Sequence, residues 1–405
     1  MKTYTLERGD SDPLRYVDKK RFLWLASLAL PAIPLGSFAA YFATGSELVL
    51  LFPLVFFYGI VPALDALVGE DTSNPPEELV LELSADRYYR WLTYAAVPLY
   101  FVTFGAAAWF IGTQPLSFLG ILAVALSVGF YSGSAITVGH ELGHKKEKLE
   151  RWLAKIVLAV PAYGHFWVEH NRGHHRDVAT PEDPASSRFG ENIYRFALRE
   201  IPGALRRAWD LEKGRLNRTG RSAFNLRENE ILHSWALAAA LRLGFLAAFG
   251  PVMIPFLLIH DFLAWWGLTS ANYIEHYGLL RRVGTDGKYE KPLPRHSWNS
   301  NHVVSNLLSF HLERHSDHHA HPTRRYQALR HFENLPTLPG GYSAMFLLAY
   351  LPPLWFRVMN PRVLAVVGGA LEQVNIAPAA RDAVLAKYAN AAVTAIVSNA
   401  TGERP

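Results

Sequence analysis

Long apolar runs alternate with long polar ones along this chain, and their lengths carry the first reading. Apolar stretches fill residues 22–44 and 48–68, 91–112 and 116–139, and 231–249 and 252–274, each near the length a helix needs to cross a bilayer. Within each pair only a few residues intervene, whereas tens of polar residues separate the pairs. The pattern predicts an all-α integral membrane protein with six transmembrane helices in three hairpins. Pro31, Pro34, Pro53 and Pro62 fall inside the first pair, where lipid-embedded helices tolerate them at the cost of kinks. Residues 152–168 are apolar but short, which suits an interfacial segment. Residues 340–358 are interrupted by Pro352 and Pro353, which suits a packed or membrane-surface helix rather than a span. Residues 1–21 are polar and lack the pattern of a cleavable signal. The expected organisation is a polar N-terminus at 1–21, one membrane-plus-cytoplasmic catalytic domain at 22–370, and an alanine-rich helical tail at 371–405.

Charge orients this arrangement. Every lysine and arginine except Arg242 lies in the termini or the long inter-hairpin segments, and the three short turns carry none. By the positive-inside rule both termini and the long segments face the cytoplasm. The net charge of +5 then reports loops facing anionic lipid rather than nucleic-acid binding. The chain contains no cysteine, which excludes disulfides, thiolate metal sites, iron–sulfur centres and a cysteine nucleophile.

Histidines dominate the polar segments. Residues 310–322 read Phe-His-Leu-Glu-Arg-His-Ser-Asp-His-His-Ala-His-Pro. If this run is helical, His315, His318 and His319 share one face. His140 and His144 continue the fourth apolar run about 40° apart. His170, His174 and His175 spread over roughly 140° on a helix, which suits a site shared between two metals or a helix broken at Gly173. His276 follows the sixth run directly. Nine ring nitrogens are too many for one ion and suit two. Oxygen ligands are not clustered, which disfavours calcium and magnesium, and zinc rarely takes more than four ligands. The set reads as two non-haem irons handling dioxygen. Glu141, Glu169, Glu275 and Asp317 each neighbour one of these histidines, either orienting a ring N–H or standing as ordinary surface carboxylates.

These clusters resemble the three histidine boxes of the integral-membrane di-iron oxygenases, the class that includes fatty-acyl desaturases. Within that class, residues 69–77, 272–278 and 298–330 are similar to the membrane alkane 1-monooxygenases, or alkane ω-hydroxylases. The resemblance runs from the first apolar stretch to about residue 330. It implies terminal hydroxylation of medium-chain n-alkanes to 1-alkanols with O2 and two electrons. Those electrons would come from rubredoxin, reduced by a rubredoxin reductase and ultimately by NAD(P)H. It also implies a bacterial inner (plasma) membrane location with a cytoplasmic di-iron site, and iron ligands at His140, His144, His170, His174, His175, His276, His315, His318 and His319. Relatives that act on an aryl methyl, a fatty acyl chain or a sterol remain an alternative, since pocket shape decides the substrate.

An n-alkane offers nothing to hydrogen-bond, so its recognition rests on apolar burial, about 0.8 kcal/mol per methylene. Phe57, Tyr58, Trp265 and Trp266 are candidate tunnel walls, with Phe57 or Tyr58 as a gate on chain length; plain helix packing or an interfacial belt is the bland reading. Asp261 inside the sixth run needs a partner, for which His260 is at hand, and Arg242 raises the same question. His165, His311 and His321 lie close to the boxes and suggest hydrogen-bonding roles. The basic stretch holding Arg195, Arg199, Arg206, Arg207, Lys213, Arg215, Arg218 and Arg221 suits either docking of an acidic rubredoxin or lipid contact. His-Glu-x-x-His at 140–144 also matches an intramembrane zinc protease, but that reading leaves seven histidines idle. A metal transporter would need polar ligands along its spans, and here there is little beyond His260 and Asp261.

Overall fold

The computed structural model describes residues 1–9 and 11–388. Of the expected C-terminal tail, Leu371–Gln373 and Pro378–Ala380 form short 3-10 turns, residues 381–388 are helical, and residues 389–405 lie outside the described residues. Apart from a short helix at Val80–Ala85, the helices in chain order are α1 (Leu23–Thr44), α2 (Glu47–Val68), α3 (Arg87–Thr113), α4 (Phe118–Gly143) and α5 (Lys148–Val157). Helix α6 is assembled from Phe166–Glu169, His170–His174 and His175–Asp177, and α7 is Ile193–Asn217. Then come α8 (Glu230–Phe249), α9 (Met253–His276), α10 (Val303–Leu308), α11 (His315–Ala320), α12 (Tyr342–Ala349) and α13 (Pro352–Val366).

Among the described residues, α1, α2, α3, α4 and α8 are long and apolar enough to cross a membrane. The sixth apolar run does fold into a helix, α9, but it stands outside that group. His260 and Asp261 interrupt its apolar sequence, and Thr269, Ser270, Asn272 and Glu275 make its last turns polar. Its first half still turns Ile254, Leu258 and Phe262 outward. Asp261 is not left alone there. The Arg242 guanidinium donates to it at 2.9 Å and to the carbonyls of Ala159 and Val160 at 3.0 and 2.8 Å. His260 Nδ1 donates to the same carboxylate at 2.8 Å, and its Nε2 meets Ser132 Oγ at 2.8 Å. A charge pair with its hydrogen bonds filled is the form in which such groups are tolerated away from water.

Helix α4 is the most enclosed of the spans, while α2 and α8 leave most of their surface outward. It runs parallel to α9 at backbone contact. A Cβ on Gly129 would lie 2.8 Å from His260 Cα, and one on Gly133 would lie 3.0 Å from the Ala264 carbonyl oxygen. Only glycine allows that approach. Because the two helices end level, His140 and His144 at the end of α4 come beside His276 at the end of α9.

Two helices widen locally. In α2, Val61 N–H donates to Phe56 O, five residues back, so Phe56–Ile60 forms a π turn. Pro62 explains it: it offers no N–H to the Tyr58 carbonyl, and its ring would collide with that carbonyl in a regular ladder. In α6, His175 N–H donates to His170 O, again five back. The second histidine cluster is therefore a continuous helix with a π turn, rather than a helix broken at Gly173.

One departure from the all-helical expectation is the N-terminus. Lys2–Arg8 and Ser11–Asp18 form an antiparallel hairpin with Tyr4 opposite Tyr16 and Leu6 opposite Leu14. These four share one face, and alternation in Thr3-Tyr4-Thr5-Leu6 is the strand signal that the length-based reading passed over. Lys2, Tyr4 and Arg21 all donate to Asp86, which docks the hairpin at the head of α3. The connector after α2 is also structured. Asp71 N–H donates to Asn301 O and Val303 N–H to Gly69 O, and the Arg314 guanidinium binds the carbonyls of Asp71 and Leu329. That lacing ties residues 69–73 to the segment that leads into α11.

Candidate metal centre

Four helix ends deliver the nine histidines to one place. The rings of His140, His144, His170, His175 and His318 bring one nitrogen each to within 4.8 Å of one another, and those of His174, His276, His315 and His319 do the same. The π turn in α6 is what divides its own histidines. The extra residue per turn sends His170 and His175 to the first group and His174 to the second.

The nitrogens face each other. His175 Nε2 lies 3.0 Å from His170 Nε2 and 3.1 Å from His318 Nε2, and His315 Nε2 lies 3.2 Å from His276 Nε2 and 3.0 Å from His319 Nε2. Nε2 of His140, His144 and His174 is buried without any partner. A buried nitrogen left unpaired costs about 1–3 kcal/mol, so three together with several facing lone pairs need a compensating ligand. A cation in each group would provide it, and an all-imidazole donor set suits a transition metal.

Protonation fits this use. Burial holds His144, His170, His175, His315, His318 and His319 well below the ordinary histidine value, so these rings are neutral near pH 7 and keep a lone pair to give. His174 differs. Burial pushes it down, but the Asp183 charge and hydrogen bond outweigh burial and leave it above the usual value. Its Nδ1 lies 2.9 Å from Asp183 Oδ2, so Nδ1 carries the proton and Nε2 points into the second group. Asp183 is fully buried and is itself fixed by Arg207 and Ser186 Oγ, each at 2.7 Å. His276 Nδ1 is oriented in the same way by the His296 carbonyl at 3.1 Å.

Of the four carboxylates singled out in the sequence, Glu275 alone approaches one of the nine rings among the described residues, with Oε2 3.4 Å from His315 Nε2. Glu141 pairs with Lys145, Glu169 with Arg207, and Asp317 with His321 and Arg324. The sequence reading did not include Asp183, nor Tyr342, whose hydroxyl donates to Glu275 at 2.9 Å. Asp183 follows His174 by nine residues in a loop rich in proline and serine, where no helical spacing links the two. Of the three further histidines, His311 donates to Tyr326 O and His321 pairs with Asp317, as expected of them. His165 does not: both its ring nitrogens are buried without partners.

A cleft of about 950 Å³, its opening included, ends on His140, His170 and His315. Its walls are Leu30, Phe57, Phe130, Leu308 and Phe346, and near the histidines Glu275, Glu313 and Tyr342 add a polar rim. Burial pushes Glu313 up to about 8, so it is uncharged near neutrality and the rim stays compatible with an apolar occupant. Phe57 is thus brought to the cleft by the π turn of α2. Tyr58, Trp265 and Trp266 do not line it. Tyr58 shares a hydrogen bond with Tyr350, Trp265 Nε1 donates to Pro161 O, and Trp266 stacks on Tyr194 and meets Tyr350 at a tilt.

Comparison with known proteins bears on the same region and beyond it. The profile of the fatty acid desaturase family matches residues 115–349. The alkane 1-monooxygenase of Ectopseudomonas oleovorans is 54% identical over 380 residues, 94% of each chain. Alkane 1-monooxygenase 1 of Alcanivorax borkumensis is 53% identical over 376 residues, 93% of each chain. The xylene/toluene monooxygenase hydroxylase component of Pseudomonas putida is more distant, 29% identical over 250 residues, 61% of this chain and 64% of its own. Similarity of this depth along almost the whole length means that the chain belongs to the alkane 1-monooxygenase family, within the wider fatty acid desaturase family.

Proposed function

We propose that this protein hydroxylates the terminal carbon of medium-chain n-alkanes to 1-alkanols, using O2 and two electrons from rubredoxin, which a rubredoxin reductase recharges from NAD(P)H. The observation that carries the reading is the apolar cleft that ends on buried imidazoles from both histidine groups. His140, His144, His170, His175 and His318 would hold one iron, and His174, His276, His315 and His319 a second. When bound, the irons supply the activation of dioxygen, which side chains cannot perform. The chain's own part is binding and orientation. Leu30, Phe57, Phe130 and Phe346 take up methylenes from the lipid phase, and a cleft lined by the histidines at its polar rim would present a chain end to them before any internal carbon. Apolar walls keep bulk water from the reacting carbon. Asp183 and the His296 carbonyl fix two rings, and Glu275 and Tyr342 hold the rim.

The same reading takes α9 as a sixth span and sets both termini and the histidines on the cytoplasmic side of a bacterial inner membrane. Residues 22–370 would form the catalytic domain. The zinc-protease alternative is weakened by Glu141, which would have to serve as base yet is paired with Lys145 at 3.0 Å. The test is turnover of a graded n-alkane series, with p-xylene and a fatty acyl substrate alongside, in the presence of rubredoxin, its reductase and NADH. Iron is quantified in the same preparation. Terminal alcohols and about two irons per chain support the reading; preference for the aryl methyl, desaturated acyl products or a single zinc would replace it.

A further inference from the structure

Helix α7 carries an outward apolar stripe that the metal centre does not use. Tyr194, Leu198 and Leu205 are exposed and Ile201 is half-buried, and the four fall within about 60° of one another around the helix. Leu198 is 80% exposed. The stripe joins the outer walls of two neighbouring helices. At one end the Tyr194 ring stacks on Trp266 of α9 at 5.8 Å, and Trp266 stacks on Phe262, which points outward beside Leu258. At the other end Trp209 lies parallel to Trp235 of α8 at 6.2 Å and next to exposed Phe224. Beside the stripe, exposed Arg195, Arg206 and Lys213 form a cationic edge.

The opposite face of α7 is locked to the protein. Glu200 accepts from Thr269 Oγ1 and Asn272 Nδ2, and Arg207 reaches Glu169 and Asp183. The outward stripe therefore cannot roll inward to hide.

We propose that α7 lies in the plane of the bilayer surface on the side of the metal centre, with Tyr194, Leu198, Ile201 and Leu205 at the boundary of head groups and acyl chains and Arg195, Arg206 and Lys213 on anionic lipid head groups. An apolar face with a basic flank is the composition of an interfacial helix. Continuity with the outward aromatic residues of α8 and α9 favours lipid over a protein partner. An acidic electron carrier would satisfy the cations but leave the leucines in water. Moreover, Arg199, Arg207 and Arg215 of this basic stretch are engaged by the buried carboxylates of Glu191, Glu169 with Asp183, and Glu212, while Arg221 pairs with Glu228 at the surface. The inference does not depend on which substrate the cleft takes.

The absence of native cysteine makes the test clean, since each introduced thiol is unique. The full-length protein carrying Leu198→Cys or Leu205→Cys is labelled with a small fluorophore and placed in nanodiscs of phosphatidylcholine, with or without phosphatidylglycerol. Leu258→Cys serves as the lipid control and Glu7→Cys as the water control. Quenching is read with spin-labelled lipid, marked near the head-group end of the acyl chain, and with aqueous iodide. The expected result is that both stripe labels are quenched several-fold more by the lipid probe than the Glu7 label is. Phosphatidylglycerol should enhance this, and the pair Arg206→Glu with Lys213→Glu should abolish the enhancement. Iodide quenching equal to that at Glu7 would overturn the proposal. So would protection from iodide that arises only on adding rubredoxin, which would assign the face to a protein partner.

Discussion

Asp183 decides which nitrogen of His174 is available, so a single carboxylate controls one corner of the second histidine group. Asp183→Asn keeps the shape but removes the charge that holds the Nδ1 proton and that balances Arg207. Losing such a partner typically weakens metal binding about 10–100-fold. The expected outcome is metal loss to a chelator at correspondingly lower chelator concentration, with helix content unchanged. Glu141→Gln, whose parent faces Lys145 rather than a ring, should retain metal as the unaltered protein does. Equal retention by the Asp183 variant would remove it from that role. A second contrast concerns the cleft. Phe57→Ala should extend the range of n-alkanes hydroxylated toward longer chains, because Phe57 is a wall, whereas Tyr58→Phe should leave the range unchanged, because Tyr58 points to Tyr350. A product profile that ignores Phe57 would dismiss it as a gate. At this scale the histidines were legible because residue type and spacing announce them. Asp183 and Tyr342 were not, because their relation to the rings exists only through loop closure. Phe57 and Tyr58 were indistinguishable in sequence, since adjacent residues on a helix differ only in direction.

Among the elements, the π turn in α6 distributes the histidines, and Gly173 inside it is pressed against α7. A Cβ there would lie 2.7 Å from Arg207 Nε. Arg207 has little room to yield, being held by Glu169 and Asp183. Gly173→Ala is therefore expected to destabilise the fold by about 1–3 kcal/mol, the usual cost of overpacking, and to release metal through the displaced Arg207–Asp183 contact. A thermal midpoint and metal content both equal to those of the unaltered protein would show that the guanidinium has a second place to go. Spans were readable from length alone, since a run of twenty apolar residues has few other uses. Two kinds of element were not. The hairpin of Lys2–Arg8 and Ser11–Asp18 alternates too briefly to stand out beside the apolar runs. The π turns depend on a widened hydrogen bond that average helical spacing cannot express, although Pro62 marked one of them. Helix α9 shows a limit of the length argument too: its polar middle and end serve Arg242, Glu200 and the metal centre, so its apolarity is diluted by function.

For the molecule as a whole, the histidine groups impose a pH dependence whose direction follows from burial. In an unfolded chain histidine takes a proton near about pH 6.5. In the folded protein burial holds His144, His170, His175, His315, His318 and His319 well below that, while His174 alone is raised by Asp183. Between the folded and unfolded values the unfolded state binds more protons, so stability increases with pH across that interval. The histidine contribution is complete above about pH 6.5 and is lost as the pH falls toward the folded values. His174 opposes it, as do the buried carboxyls of Glu200 and Glu313, raised to about 7 and about 8, but these three are fewer than the six lowered rings. Metal-free protein in detergent should therefore melt at progressively lower temperature as the pH is lowered from about 7.5 to about 5.5. Ferrous ion added at the upper pH should raise the midpoint, because a ligand that binds only the folded state stabilises it in proportion to the logarithm of its concentration over its dissociation constant. That gain should shrink at the lower pH, where protons compete for the same nitrogens. A midpoint indifferent to both pH and iron would mean that the nine rings are solvated in solution and gather no metal, and the proposed chemistry would fall with them.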